Sequence, residues 1–220
     1  MKEFDKIFVS WRTGAGAGRY IIGVLEKHDD GRFTFKYDKL VVSKALKEGF
    51  GPYTELPNTE VVYNGNVLDV FSQRLIKSER SDIQDFYDFW EIEPEKVQDK
   101  FYLLAHTQGL LPTDNFEFLA DFNPIPGLHF LTDLASLTEK KLAAGTVKSG
   151  DELTFEKEPK NKFDGRAIKV LKDGKEIGFI KKGHSHLFYK PGSDKIKLIV
   201  KAVDQNDFIK KVFITVSIPT

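Results

Sequence analysis

The sequence predicts two domains, an α+β domain over residues 1–120 and a mostly-β small barrel over residues 121–220. Residues 6–37 alternate polar and apolar side chains as strands do, whereas residues 67–105 repeat apolar side chains at helical spacing. The last hundred residues contain five short strand-like segments, a number and spacing typical of a barrel or rolled sheet. The junction is Asn123-Pro124-Ile125-Pro126-Gly127, because prolines and glycine interrupt regular structure.

The first domain is predicted to begin with an antiparallel meander and to continue with short helices. Asp29-Asp30-Gly31 is a hairpin signal, because glycine accepts a positive φ. A loop containing Gly49, Gly51, Pro52 and Pro57 follows the meander. The predicted strands are Lys6–Trp11, Tyr20–Leu25 and Arg32–Tyr37, and the predicted helices are Val67–Arg80, Ser81 to about Trp90, and Pro94 to about Gly109.

The second domain is predicted to combine one short helix, over residues 138–145, with five strands. Asp173-Gly174 should join the second and third strands in a tight hairpin. The predicted strands are residues 152–155, 167–171, 176–180, 195–203 and 208–218.

Composition limits the classes of function. The chain has no cysteine, which excludes a disulfide framework, thiol catalysis and a thiolate zinc site. No apolar run approaches the roughly 20 residues that span a bilayer, and Met1–Asp5 lacks the order of a secretory signal. We therefore expect a cytoplasmic protein without a membrane partner, and we predict no cofactor.

Charge is divided unevenly between the two halves. Residues 1–120 carry 15 Lys and Arg against 20 Asp and Glu, and residues 121–220 carry 18 against 13. A net charge of +5 makes a polyanion an admissible partner for the second half. Chance is the alternative, since the imbalance is modest.

Residues 158–182 carry the most informative pattern of the sequence. Glu158–Val170 fits Glu-Pro-x-Asn-x-aromatic-Asp-x-x-Ala-Ile-x-Val, and the next hairpin ends in Ile177-Gly178 and the basic pair Lys181-Lys182. Upstream, Gly127-Leu128-His129-Phe130 places a glycine before an aromatic pair. With these motifs in this order, the second half resembles the HIRAN family.

The resemblance implies an OB-like, HIRAN-like barrel that binds single-stranded DNA, preferably a free 3′ end. It implies a pocket built from Phe130, Phe163 and Asp164, with His129 and Lys182 nearby. Histidine and phenylalanine at 129–130 replace an arginine–tyrosine type pair, and Phe163 stands where tyrosine is common. The residues assigned to the nucleic-acid site are His129, Phe130, Phe163, Asp164, Phe179, Lys181 and Lys182.

These residue types suit a strand terminus. An aromatic face stacks on any base, and lysine attracts phosphate. Asp164 would repel phosphate unless it met a donor such as a 3′ hydroxyl. The alternative is purely structural, with Asn161 and Asp164 forming an Asx-type turn and Phe163 in the core.

The first half resembles the N-terminal subdomain of HipA-type kinases. The similarity rests on the meander of residues 6–40, the Leu56-Pro57 segment, residues 66–80, and Asp99 to Gly109. The resemblance implies a contact with a partner protein. No kinase activity is carried over, because the sequence has no glycine-rich loop with a following lysine, no catalytic loop and no magnesium motif.

Three other patterns favour plain structural interpretations. The glycines of Gly14–Gly18 lead into a strand, so a loop is favoured over a phosphate cradle. His184-Ser185-His186 is interpreted as a surface loop or a secondary phosphate contact, not a metal site. Glu79, Asp82, Asp85 and Asp88 have the spacing of a solvated helix face.

The sequence thus predicts a non-catalytic adaptor that binds nucleic acid through its second domain. The alternatives are a protein-interaction subunit of a HipA-type system without DNA binding, and an enzyme subunit. The second of these lacks a catalytic constellation in the sequence.

Overall fold

The computed structural model describes residues 2–14 and 16–220, except for the side chains of residues 138 and 139. The chain divides into two compact units. One is Phe4–Asp121, and the other is Phe122–Thr220 together with the N-terminal residues up to Glu3. No helix among the described residues is long and apolar enough to cross a bilayer.

The first unit contains a five-stranded antiparallel sheet in the order β4-β3-β2-β1-β5. Its strands are β1 (Lys6–Trp11), β2 (Tyr20–Lys27), β3 (Phe33–Tyr37), β4 (Val62–Asn64) and β5 (Phe116–Ala120). The predicted meander is confirmed. Two strands join its edges, and β5 returns from the helical region to pair with β1, with Ile7 opposite Ala120.

The helices of this unit are shorter than the sequence predicted. They are α1 (Lys39–Lys47), α2 (Val67–Ser72), α3 (Ile83–Phe89) and α4 (Lys100–Thr107), with a 3-10 turn at Pro94–Lys96. Helix α1 was not predicted, and it begins where the Asp38 side chain accepts from the backbone N–H of Val41 at 3.0 Å. The predicted helix over 67–80 stops at Ser72, after which the Arg74 side chain turns into the core.

The core of the first unit is aromatic and is bordered by buried ion pairs, among them Arg74 with Asp114. Phe35, Phe71 and Phe118 are fully buried, and their rings meet in edge contacts with centroids about 5 Å apart. Arg74 is 7% exposed and donates from both terminal nitrogens to Asp114 at 2.7 Å. Since a buried guanidinium needs such partners, this pair fixes the chain that leads into β5.

The second unit is a six-stranded antiparallel sheet with one short helix. Its order is β6-β11-β10-β7-β8-β9. The strands are β6 (His129–Asp133), β7 (Glu152–Glu158), β8 (Ala167–Lys172), β9 (Lys175–Phe179), β10 (Lys197–Gln205) and β11 (Ile209–Ser217), and the helix is α5 (Leu137–Lys140). The mostly-β prediction is confirmed, whereas the predicted helix over 138–145 is reduced to one turn because Lys141 takes a positive φ.

A pair of backbone hydrogen bonds closes this sheet into a barrel. Ala135, just after β6, exchanges hydrogen bonds with Phe179 at the end of β9, at 2.7 and 3.1 Å. Gly178 makes the approach possible, because a Cβ there would lie 2.9 Å from the Ala135 carbonyl oxygen. The buried Lys181 ammonium pairs with the Asp133 carboxylate at the same closure.

The hairpin between β8 and β9 follows the prediction. Asp173 and Gly174 have φ values of 49° and 75°. Two consecutive positive φ angles define the two-residue turn whose twist matches that of the strands.

Candidate nucleic-acid interface

The loop between β7 and β8 is held by the side chain of Asn161. Its Oδ1 accepts from the backbone N–H groups of Phe163 at 2.9 Å and Asp164 at 3.2 Å. Its Nδ2 donates to Glu158 Oε2 at 2.7 Å, which ties the loop to the end of β7. The Asx-type turn considered as the structural alternative is therefore present.

Phe163 projects from this turn into solvent. Its side chain is 81% exposed, so the part of the alternative that placed it in the core is wrong. The Lys162 Nζ atom lies 4.9 Å from the centroid of the ring. An exposed aromatic face beside an ammonium group is able to stack on a base while the cation meets a phosphate.

Asp164 is half-buried next to this ring. One carboxylate oxygen accepts from the backbone N–H of Arg166 at 3.0 Å, and its backbone carbonyl accepts from Ala167 at 3.0 Å. The carboxylate is thus oriented by the main chain that follows it. A carboxylate has two oxygens with about four acceptor sites, so one backbone bond leaves acceptor capacity for a ligand hydroxyl.

Arg166 and Tyr189 connect the loop to the 3-10 turn His184–Tyr189. Arg166 Nη1 lies 2.9 Å from His186 Nε2, and the Tyr189 hydroxyl lies 3.5 Å from the Ala167 carbonyl oxygen. Desolvation raises the pKa of the Tyr189 hydroxyl, and the negative charge of Asp164 raises it further. The phenol carries its proton at neutral pH, as tyrosine ordinarily does, and can act as a hydrogen-bond donor.

A groove of about 410 Å³ opens beside Tyr189. Its lining includes Phe155 and Lys157 of β7 and the chain from Tyr189 to Asp194. The Lys157 Nζ atom lies 5.2 Å from the centroid of the Tyr189 ring. The groove therefore combines an aromatic ring with an exposed cation, as the Phe163 turn does.

Two of the predicted site residues are buried. Phe130 is 1% exposed, because Phe122 stacks on its ring with centroids 4.0 Å apart and planes 20° apart. Lys181 is fully buried against Asp133. Their assignment to a ligand-contacting surface is corrected, since the first serves the core and the second serves barrel closure.

The other predicted site residues are at least partly accessible. His129 is the first residue of β6 and is half-buried, and Lys182 is exposed. Phe179 is half-buried, with the Lys140 Nζ atom 5.9 Å from the centroid of its ring. Phe179 lies at the barrel closure, whereas Phe163 and Asp164 lie on the β7–β8 loop. The backbone N–H groups of Phe163 and Asp164 share one acceptor, Asn161 Oδ1, and the Asp164 carboxylate accepts from the N–H of Arg166.

The remaining sequence candidates take structural positions. His184 and Ser185 are buried, and His184 Nδ1 lies 3.0 Å from Thr132 Oγ1, so the surface-loop prediction is wrong for them. The four acidic residues of 79–88 are exposed, as a solvated face requires. The glycine segment leads into β2 as expected, although Ala15 lies outside the described residues. Among the described residues, no group of three metal-ligating side chains comes together.

Sequence reasoning missed Lys157, Arg166 and Tyr189 as candidate site residues. Arg166 lies within the motif, at a position that the pattern leaves variable. Tyr189 follows the histidine segment by a few residues, and the fold of the 3-10 turn brings its hydroxyl within 3.5 Å of the Ala167 carbonyl oxygen. The one signal in the sequence was the aromatic and basic character of Leu187-Phe188-Tyr189-Lys190.

Comparison with known proteins identifies the second unit. Residues 127–218 match the family model of the HIRAN domain, which confirms the resemblance for this part of the chain. The crystal structure of the HIRAN domain of human HLTF is similar at 22% identity, over 40% of this chain and 74% of that chain, with a TM-score of 0.32. No curated protein matches the chain. Residues 1–126 lie outside the family match, and their similarity to HipA-type kinases stays a prediction.

Proposed function

We propose that the HIRAN domain of this chain binds single-stranded DNA, preferably at a free 3′ end, and that the chain is a non-catalytic adaptor. The exposed ring of Phe163 on its braced turn is the observation that carries this proposal. Burying a phenylalanine side chain contributes about 1.5–3 kcal/mol of free energy. Because this ring is largely exposed in the free protein, most of that contribution would be gained when a ligand covers it. A base that stacks on it would recover this contribution.

The preference for a free end rests on Asp164. A 3′ hydroxyl would donate to its carboxylate, whereas a phosphate in the same place would be repelled. Continuous strand presents a phosphate at each 3′ oxygen. The carboxylate beside the stacking ring therefore favours a terminus over the interior of a strand.

The first experiment compares the affinity of the protein for oligonucleotides with a free and with a phosphorylated 3′ end. Fluorescence anisotropy with thymidine oligonucleotides that carry a free or a phosphorylated 3′ end, at two salt concentrations, should show tighter binding of the free end. Binding should weaken as salt increases, because lysine–phosphate contacts release counterions. Equal affinity for both ends would remove the end preference, and no affinity for either would remove the function.

A matched pair of variants tests whether the exposed ring of Phe163 contributes to DNA binding. Phe163→Ala should weaken binding of the free-ended oligonucleotide by about 1–3 kcal/mol, the value of one stacked base. Phe208→Ala removes another exposed phenylalanine, 52% accessible, that lies outside the loop. It should leave affinity unchanged. Similar losses in both variants would mean that the effect is not specific to the β7–β8 loop.

The finer parts of the proposal rest on the resemblance and the composition. The barrel is proposed to be OB-like, and the protein is proposed to act in the cytoplasm without a cofactor. Incubation of end-labelled oligonucleotides with the protein and magnesium should return them at full length. Shortened products would show that the chain is an enzyme.

A second candidate function is a contact with a partner protein through the first unit. Exposed apolar side chains favour it: Leu40 is 77% exposed, Val62 49% and Val61 39%. Replacing Leu40 and Val62 with serine should abolish co-purification of any partner from the native source while leaving DNA binding intact. A partner retained by this double variant would contradict the assignment to these side chains.

A further inference from the structure

The tripeptide Asp-Gly-Arg occurs twice in the chain, at residues 30–32 and 164–166. In both places the carboxylate accepts from the backbone N–H of the arginine at 3.0 Å. At the first place the Arg32 Nε atom also donates to the other carboxylate oxygen of Asp30, at 2.6 Å. At the second place the guanidinium does not pair with the carboxylate, and its Nη1 atom contacts His186 instead.

A spacing of two residues is enough for an arginine and an aspartate of this chain to form an ion pair. Asp30 pairs in this way with Arg32, and Asp82 pairs with Arg80. Asp164 forms no ion pair with a side chain in the part of the chain that the structure describes, although an arginine lies two positions ahead of it. The difference between the two tripeptides therefore depends on the residue that takes the second guanidinium.

A neutral imidazole holds the guanidinium of Arg166. The Arg166 Nη1 atom lies 2.9 Å from His186 Nε2. A guanidinium only donates hydrogen bonds and stays protonated, so this ring nitrogen must be the unprotonated acceptor. Protonation of the ring would remove the acceptor and place two positive charges side by side. The contact therefore requires a neutral His186, and histidine is the side chain that ordinarily changes charge between about pH 5 and pH 8.

Charged and titratable groups from three segments flank this contact. They are Asp164 and Arg166 of the β7–β8 loop, Lys157 of β7, and Lys182, His184 and Tyr189 of the segment that contains the 3-10 turn. Cations outnumber the carboxylate in this set, which favours the neutral form of the imidazole at neutral pH. Asp164 is the one anion of the set, so its carboxylate is the partner available to the guanidinium when the contact with His186 breaks.

We propose that His186 is a positioning residue of the strand-end site: by holding Arg166, it keeps the Asp164 carboxylate available to a 3′ hydroxyl. This inference rests on the proposed function, because it assumes that the strand end meets this carboxylate. Protonation of His186 releases Arg166, which then pairs with Asp164 as Arg32 pairs with Asp30. The carboxylate is then occupied and its charge is compensated. The preference for a free end is therefore lost as the pH falls.

A pH profile of the end preference tests this role. The affinity of the full chain is measured by fluorescence anisotropy for thymidine oligonucleotides with a free 3′ hydroxyl and with a 3′ propyl phosphodiester. The diester keeps one negative charge, whereas a terminal phosphate changes charge near pH 6 and would confuse the profile. The free end should be preferred about fivefold or more at about pH 8, and the preference should disappear toward about pH 5.5. A preference that stays constant over this range would refute the inference.

Variants of the contact separate positioning from a merely structural role. His186→Ala should lose the end preference at every pH, whereas His186→Gln supplies an amide oxygen to Arg166 and should keep the preference at every pH. Arg166→Ala leaves no guanidinium to occupy Asp164, so the double variant with His186→Ala should regain the preference that His186→Ala alone has lost. A double variant that binds like His186→Ala would refute the inference. His28→Gln, in the first unit, is the matched histidine control and should leave the pH profile unchanged.

A measurement without DNA separates this inference from the proposed function. Long-range proton–nitrogen NMR spectra of the free protein at about pH 8 should show the His186 proton on Nδ1, because Nε2 accepts from Arg166. A proton on Nε2 would refute the inference even if the free end is preferred. If the proton is on Nδ1 and yet no variant prefers the free end at any pH, the proposed end preference fails, and the role of His186 fails with it.

Discussion

The neighbouring residues Lys181 and Lys182 should behave in opposite ways when each is replaced by alanine. Lys181 is fully buried and pairs with Asp133, whose side chain is 14% exposed. Removing this ammonium leaves a largely buried carboxylate without its cation, which costs about 3–5 kcal/mol. A domain of about a hundred residues loses about 4–8 °C for each kcal/mol, so the barrel should melt at least about 12 °C lower.

The chain contains an internal reference for this measurement. Its two tryptophans, Trp11 and Trp90, both lie in the unit Phe4–Asp121. Tryptophan fluorescence therefore follows that unit, while far-ultraviolet circular dichroism follows both units. Lys181→Ala should move the dichroism transition of the barrel and leave the fluorescence midpoint nearly unchanged.

Lys182→Ala is the matched control. An exposed lysine contributes within about 0.5 kcal/mol to stability, so both transitions should stay in place. Its loss should instead reduce the salt slope of DNA binding by about 0.7 if it contacts a phosphate.

A double variant that removes both charges of the buried pair tests whether the uncompensated Asp133 carboxylate causes the loss of stability. Lys181→Met combined with Asp133→Asn should be more stable than Lys181→Met alone, because no buried carboxylate is then left uncompensated. If Lys181→Ala melts like the wild type and weakens DNA binding as Lys182→Ala does, the buried assignment is refuted. The original prediction of two phosphate contacts would then be right.

Three further predictions concern barrel closure, the strand end and the first unit. Gly178→Ala places a Cβ 2.9 Å from the Ala135 carbonyl oxygen across the closure. It should lower the free energy of unfolding, measured by thermal melting, by about 1–3 kcal/mol. The control Gly165→Ala, whose Cβ would meet no atom nearer than 3.8 Å, should leave stability nearly unchanged. Asp164→Asn keeps an acceptor for the turn but removes the negative charge. The binding free energy of a 3′-phosphorylated oligonucleotide, measured by anisotropy titration, should therefore improve by about 1 kcal/mol or more. An unchanged preference for the free end would contradict the role of the carboxylate. Burial raises the pKa of the Asp114 carboxyl and the hydrogen bond from Arg74 lowers it, with a net lowering below the ordinary value of 3.8. The ion pair thus stabilises the fold above pH 3.8, and this stabilisation is lost as the pH falls below that value. Asp114→Asn should lower the free energy of unfolding at neutral pH by about 1–3 kcal/mol. It should also make the unfolding transition followed by tryptophan fluorescence less dependent on acid pH.

Local signals in the sequence predicted most of the fold. The Asp173-Gly174 hairpin and the three-strand meander were identified because turn residues and alternation act over a few neighbouring positions. Strand β5 and the closure at Ala135 were missed, because each depends on partners far away in the chain. Helix α1 was missed because the glycines that follow it, Gly49 and Gly51, favoured a loop.

The candidate site was predicted only in part, for a related reason. The motif indicated Phe163 and Asp164, which lie on one loop and need no long-range contact to come together. Lys181 looks like any surface lysine until β6 supplies Asp133. Phe130 looks like a stacking platform until Phe122 covers it. Burial of this kind depends on tertiary packing, which neither spacing nor residue type reveals.

The ring of Phe122 affects how the barrel is best isolated in the laboratory. The family match begins at residue 127, yet this ring, five positions earlier, covers the face of Phe130 and its carbonyl oxygen accepts from Lys190. A fragment trimmed to the family boundary would leave an apolar face bare and an ammonium without two of its acceptors. Expression of the barrel alone should therefore start upstream of Phe122, and a shorter fragment is expected to aggregate.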